Sequence, residues 1–258
     1  MNKKLSDLSG IMNRLREEDG CPWDREQTHD SLKSYLIEEA YEVLEAIESG
    51  ENHALKEELG DLLFQVVFHS QIAKEDGRFT LEDVIANVSE KMIRRHPHVF
   101  GDEKAKNSEE VLSRWEDIKG KEKNRESMLE GIPRSLPSLI RAKRLQERAS
   151  RVGFDWPNAE KVWEKVEEEW KELQEARAAN DKKNIEEEMG DLIIALVNLG
   201  RFLDIDGDTA LGKANEKFIR RFTAIEREFK KNKKDIYKAS LDEMEEIWVR
   251  EREQEKTD

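Results

Sequence analysis

The sequence has one cysteine, Cys21, only five prolines, and no apolar run that approaches membrane length. A single thiol cannot form an internal disulfide, so packing must hold the fold, and a reducing cytoplasm is the expected compartment. The longest mostly apolar stretches, Leu62 to Phe68 and Leu192 to Leu199, fall far short of the ~20 residues that cross a bilayer. The amino terminus carries no apolar segment of signal length. No membrane association is expected. Basic charge is also in deficit: 45 Lys and Arg stand against 59 Asp and Glu, for a formal net charge of -14. A field of that sign repels polyphosphate backbones unless cations are gathered locally, which excludes a general nucleic-acid binder.

Strand signals are equally scarce. There is little apolar/polar alternation, and long runs are rich in Glu, Lys, Leu and Ala, all strong helix formers, so an all-α fold is expected. Charged residues make up 40% of the chain and hydrophobic ones 36%, but the apolar positions recur at helical spacing, which separates the chain from a disordered polyelectrolyte. Leu32, Tyr35, Leu36, Ala40, Val43 and Ile47 mark one helix and Leu55, Leu59, Leu62, Leu63, Val66 and Val67 the next, with Ser49 to Asn52 as the break of a helical hairpin. Thr80 and Asp83 read as a capping pair before a further helix. Gly131 to Pro137 cannot continue a helix, so the expected division is a first domain over 1–120, a linker over 121–137 and a second domain over 138–258.

The second half repeats the first. Advanced by 130, Glu38, Glu39, Glu42, Glu58 and Asp61 land on Glu168, Glu169, Glu172, Glu188 and Asp191, and Gly60-Asp61-Leu62 becomes Gly190-Asp191-Leu192. Trp23-Asp24 meets Phe154-Asp155, Lys91, Arg94 and Arg95 meet Lys217, Arg220 and Arg221, and Trp115 meets Trp248, in the same order. Ordered landmarks of this kind mark a tandem duplication of one helical unit.

The chemistry follows from the acidic spacing. Glu39 and Glu42 are three apart, as are Glu58 and Asp61, so each pair leaves one face of its helix, and a closed hairpin would gather four carboxylates. Apolar neighbours would desolvate them, and their mutual repulsion calls for a hard divalent cation; Mg²⁺, which prefers oxygen ligands and shares itself with substrate phosphates, suits the set. A charge run on a helix is usually a solvated face, but repetition with Gly-Asp-Leu embedded argues otherwise. The mid-helix glycines, Gly60 and Gly190, suggest close helix approach or ligand access. Lys91, Arg94 and Arg95, with Lys217, Arg220 and Arg221, are cations suited to phosphate oxygens. Trp115 reads as a core residue, Cys21 as structural, and His96 and His98 lack the partners of a zinc site. A di-iron bundle would need two Glu-x-x-His motifs, and only Glu26-x-x-His29 occurs. A helical interaction module with solvated acidic faces is the non-enzymatic alternative.

Glu38-Glu39-x-x-Glu42 followed by Glu58-x-x-Asp61, twice, with Cys21-Pro22-Trp23-Asp24 before and Arg95-His96-Pro97-His98-Val99-Phe100-Gly101 after, resembles the MazG family of all-α nucleoside triphosphate pyrophosphohydrolases. The resemblance spans essentially the whole chain. It implies two tandem helical-bundle domains completed by homodimerisation, and Mg²⁺-dependent hydrolysis of nucleoside triphosphates to monophosphate and pyrophosphate in nucleotide-pool house-cleaning. It also implies Mg²⁺ on Glu39, Glu42, Glu58 and Asp61 and on Glu169, Glu172, Glu188 and Asp191. Lys217 and Arg221 would contact phosphates and Trp248 the base; Lys165 and Glu168 join the substrate-binding set. Glu38 and Glu168 would orient or deprotonate the attacking water.

Overall fold

A computed structural model describes residues 4–107, 110–111, 114–115, 118, 120 and 127–255. Residues 121–126 of the expected linker lie outside these. Among the described residues the chain is helical, with no strand. It divides into two compact units, Met1–Lys119 and Gly120–Asp258.

The first unit contains α1 (Leu5–Arg16), α2 (Pro22–Glu26), α3 (Lys33–Ser49), α4 (Asn52–Glu75), α5 (Leu81–Arg95) and α6 (Pro97–Phe100). Helices α3 and α4 form the expected hairpin. Gly50 closes α3 in the left-handed region, at φ 71°, where a side chain would be strained, and the chain re-enters helix two residues later. The Thr80 and Asp83 capping box starts α5: the Asp83 amide donates to the Thr80 hydroxyl at 3.2 Å, and the Thr80 amide donates to the Asp83 carboxylate at 2.8 Å. Helix α1 and α5 both pack on α4, enclosing Met12, Leu32, Val67, Phe68, Ile72 and Leu81. Arg16 stitches this end together, pairing with Glu75 at 2.7 Å and lying 5.5 Å from the Phe68 ring centre.

The second unit contains α7 (Ser138–Ser150), α8 (Ala159–Ala179), α9 (Lys182–Phe202), α10 (Gly207–Lys231), a 3₁₀ turn (Ile236–Lys238) and α11 (Leu241–Gln254). Its hairpin is α8 and α9. The break is an Asn-Asp pair: Asn180 takes the left-handed conformation at φ 53°, and the Asp181 carboxylate accepts from the Lys183 and Asn184 amides to start α9. Helix α7 packs on α9 and α10. Lys143 of α7 pairs at 2.7 Å with Asp206, the cap of α10, and with the Thr209 amide pulls that carboxyl down to about 2. A second apolar cluster of Ile225, Phe229 and Ile247 joins α10 to α11. The close approach suggested for Gly60 and Gly190 is absent: a methyl group placed on either would meet no atom of its unit within 4 Å.

Phe68, 1% exposed, sits at the centre of the first core. Truncation to alanine is expected to cost about 3–5 kcal/mol in urea unfolding, through lost transfer energy and the cavity left behind. The same truncation at Tyr237, 97% exposed, is expected to stay within about 0.5 kcal/mol.

Candidate metal centre

In the first hairpin, Glu39 of α3 and Glu58 and Asp61 of α4 each place a carboxylate oxygen within 4.8 Å of the others. The hairpin turn sets this register: Glu58 and Asp61 lie one turn apart on α4, and Glu39 projects from the facing side of α3. Burial pushes the Glu39 carboxyl above the ordinary range; a hydrogen bond from Gln65 works against this, and the charges of Asp61, Glu42 and Glu58 reinforce it. Glu58 is raised too, first by desolvation and then by Glu42 and Asp61. Glu42 is thus within electrostatic reach of the trio without belonging to it.

The second hairpin repeats the arrangement. Glu169 and Glu172 of α8 and Glu188 of α9 bring oxygens within 4.8 Å of one another. Glu188 is raised by desolvation, then by Glu172, Glu169 and Asp191. Each hairpin therefore gathers three of its four expected carboxylates and holds the fourth, Glu42 or Asp191, close enough to repel. Such a set is all oxygen and short of positive charge, and a divalent cation fits it.

The hairpins differ in one neighbour. Lys165 pairs with Glu168 at 2.9 Å and with the buried Glu169 at 2.7 Å, and these two hydrogen bonds raise its own pKa. In the first unit the position 130 earlier is Tyr35, whose ring meets Trp23 edge-on at 5.8 Å. Glu38 and Glu168 are both exposed beside their clusters.

The downstream basic residues are not all presented alike. Arg95 is buried, 6% exposed, with its guanidinium 5.1 Å from the Trp115 ring centre, while Lys91 is half-buried and Arg94 exposed. Lys217 is exposed. Arg220 and Arg221 both pair with Glu255, at 3.2 and 3.0 Å. Arg221 also lies 5.4 Å from the half-buried Trp248 ring, which packs edge-on against Phe218 at 5.1 Å. Among the described residues no hydrogen bond or ion pair joins this second set to the carboxylates of α8 and α9. The ring Nδ1 of His96 lies 2.6 Å from the Met92 carbonyl, so that nitrogen is engaged in its own helix.

Sequence reasoning missed a cleft of about 490 Å³ beside the second cluster. Lys165, Glu169 and Asp191 form one wall, and Gln146, Phe154, Trp156 and Asn198 line the rest. Arg201 also lines it, pairing with Asp155 at 2.9 Å and donating to the side-chain Oδ1 of Asn198 at 2.9 Å. Part of this was readable: Asp191, Ile194, Asn198 and Arg201 follow one another at helical spacing along a single face of α9. Gln146 gave no signal, because it arrives from α7.

The sequence model of the MazG nucleotide pyrophosphohydrolase domain matches residues 27–100 and 158–225, one copy on each hairpin. A Thermotoga maritima protein named nucleoside triphosphate pyrophosphohydrolase/pyrophosphatase MazG is 49% identical over 246 residues, 95% of this chain and 94% of its own. An Escherichia coli K12 nucleoside triphosphate pyrophosphohydrolase is 48% identical over 260 residues, 98% of each chain. A Mycobacterium tuberculosis protein of the same name is 40% identical over 154 residues, 59% of this chain and 46% of its own. Two matched domains, each centred on an acidic hairpin, and near full-length similarity to two such proteins place the chain in the MazG family.

Proposed function

We propose that this protein is a Mg²⁺-dependent nucleoside triphosphate pyrophosphohydrolase that releases nucleoside monophosphate and pyrophosphate. The observation that carries this reading is the doubled carboxylate cluster, in which three oxygens crowd within 4.8 Å on each hairpin. Glu169, Glu172, Glu188 and Asp191 would hold Mg²⁺ in the second domain and Glu39, Glu42, Glu58 and Asp61 in the first. When bound, the ion neutralises triphosphate oxygens and makes a coordinated water more acidic. Glu168, or Glu38 in the first domain, takes the proton from the attacking water, whose oxygen bonds to phosphorus as the bridging anhydride bond breaks. The ammonium of Lys165, between Glu168 and Glu169, orients both carboxylates and adds a donor for a phosphate oxygen. The second hairpin is the working one in this reading, because Lys165, Glu169 and Asp191 of its cluster line the cleft described above.

The same reading assigns the chain to the cytoplasm, as its single cysteine suits, and to a homodimer. No helix among the described residues is long and apolar enough to cross a membrane. Yet Ile37, Leu44 and Ile47 on the first hairpin and Trp163, Trp170 and Leu196 on the second are each about half exposed, which is costly for a monomer. A second copy covers such stripes by helix packing. Sedimentation velocity at micromolar concentration is expected to give twice the mass of the chain, and a stable monomer would remove the dimer from the account.

The reaction is tested by product analysis of ATP incubated with Mg²⁺. AMP and pyrophosphate are the expected products. Glu172→Gln is expected to lower kcat/KM on the order of a hundredfold or more, as loss of a ligand to the catalytic ion does. Glu42→Gln is expected to retain most of the activity. No hydrolysis by the wild type, or ADP and phosphate as products, would overturn the reading.

A further inference from the structure

Among the described residues, four buried side-chain atoms lack a hydrogen-bond partner, and two of them belong to residues one turn apart on α4: Oε1 of Gln65 and Nε2 of His69. Each belongs to a side chain whose other polar atom is engaged. The Gln65 amide nitrogen donates to Glu39 Oε1 at 3.5 Å, and the residue is 6% exposed. His69 Nδ1 lies 2.7 Å from His29 Nδ1, with the two rings stacked at 5.0 Å. Arg78 in turn reaches His29 Nε2 at 2.6 Å and pairs with Asp76.

Chemistry fixes the proton positions along this row. A guanidinium can only donate, so His29 Nε2 accepts and the His29 proton sits on Nδ1. That Nδ1–H donates to His69 Nδ1, which leaves the His69 proton on Nε2. Burial first, and His29 after it, hold His69 below the ordinary histidine range, which keeps the ring neutral at neutral pH. The two unpartnered atoms are therefore a donor and an acceptor. At the far end a carboxylate can only accept, so the Gln65 amide gives its N–H to Glu39 and keeps its oxygen for the other donor.

Resting on the reading of Glu39 as a cation ligand, we propose that one buried water joins His69 Nε2–H to Gln65 Oε1, completing a one-way hydrogen-bond chain from Arg78 through His29, His69 and Gln65 to Glu39. Gln65, His69 and His29 are then positioning residues: they orient the Glu39 carboxylate for its ion and touch neither ion nor substrate. A water suits the gap, because it accepts from the imidazole and donates to the amide oxygen. The second hairpin has no such row. Advanced by 130, Gln65 and His69 become the buried Ala195 and Leu199, and Glu169, the counterpart of Glu39, takes its donor from Lys165 at 2.7 Å. The first unit thus holds its carboxylate with a neutral donor, which leaves the full negative charge to the cation.

Two measurements on the full chain test the row. Nitrogen NMR of the histidine rings at neutral pH is expected to show Nδ1–H at His29 and Nε2–H at His69, and a changed His29 tautomer in Arg78→Met. Calorimetric titration of Mg²⁺ into the chain carrying Glu188→Gln reads the first centre. Gln65→Leu and His69→Phe, added singly, are each expected to weaken Mg²⁺ about tenfold, and together no more than either alone. Arg78 is half exposed, so Arg78→Met keeps the core and is expected to weaken Mg²⁺ about threefold even if His69→Phe fails to fold. Reversed tautomers, unchanged Mg²⁺ affinity, a loss confined to Gln65→Leu, or fully additive losses would overturn the chain. No Mg²⁺ binding by the Glu188→Gln parent would instead defeat the cation reading of the first centre, and this assignment with it.

Discussion

Repulsion among carboxylates across a helical hairpin is the constraint around which each unit is organised. Folding brings α3 onto α4, and α8 onto α9, because their apolar residues must leave water. The same closure forces acidic side chains on the seam into mutual contact range. Burial first, and neighbouring carboxylates after it, raise the pKa values of Glu39, Glu58 and Glu188. A structure that needed only stability would place Gln or Ala there. Keeping Glu and Asp at all these positions in both copies means that the unfavourable charge is retained for binding, and the hydrophobic contacts of the hairpin offset its cost.

How much of this could be read from the chain depends on whether the signal was local. The hairpins, their breaks at Gly50 and Asn180-Asp181 and the capping box at Thr80 were all legible, since each rests on periodicity or turn chemistry within a few residues. The clusters were nearly as legible, because the three-residue spacing on each helix needs only one further assumption, that the hairpin closes. Presentation of the cations was not. Arg95 has the spacing of a phosphate ligand, yet it is buried against Trp115, and the sequence records nothing of that tertiary choice. Mid-helix Gly60 and Gly190 suggested close helix approach or ligand access, and the open space beside both removes the first of these. The cleft was half legible, through the stripe on α9, and half hidden in Gln146.

Duplication left two copies of one frame with different surroundings. At the position where the second hairpin has Lys165, bound to Glu168 and Glu169, the first has Tyr35, packed on Trp23. A cation beside the carboxylates lowers their repulsion before any metal arrives and supplies a phosphate donor afterwards, whereas an aromatic pair does neither. A shared fold with unequal electrostatics is the physical basis for assigning the chemistry to the second copy.

The most direct measurement is thermal unfolding of the wild type and a Glu58→Gln, Glu188→Gln double variant, each in EDTA and in excess Mg²⁺ at neutral pH. A carboxyl whose pKa is raised on folding contributes stability only below the ordinary carboxylate range and loses it as pH rises through the folded value; at neutral pH, without metal, it is a liability. The account therefore predicts that the variant melts above the wild type in EDTA, and that only the wild type gains substantially from Mg²⁺, by about 2.7 kcal/mol at a hundredfold excess over Kd. A wild type indifferent to Mg²⁺, together with a variant that melts at or below it in EDTA, would contradict the claim that these clusters are cation sites.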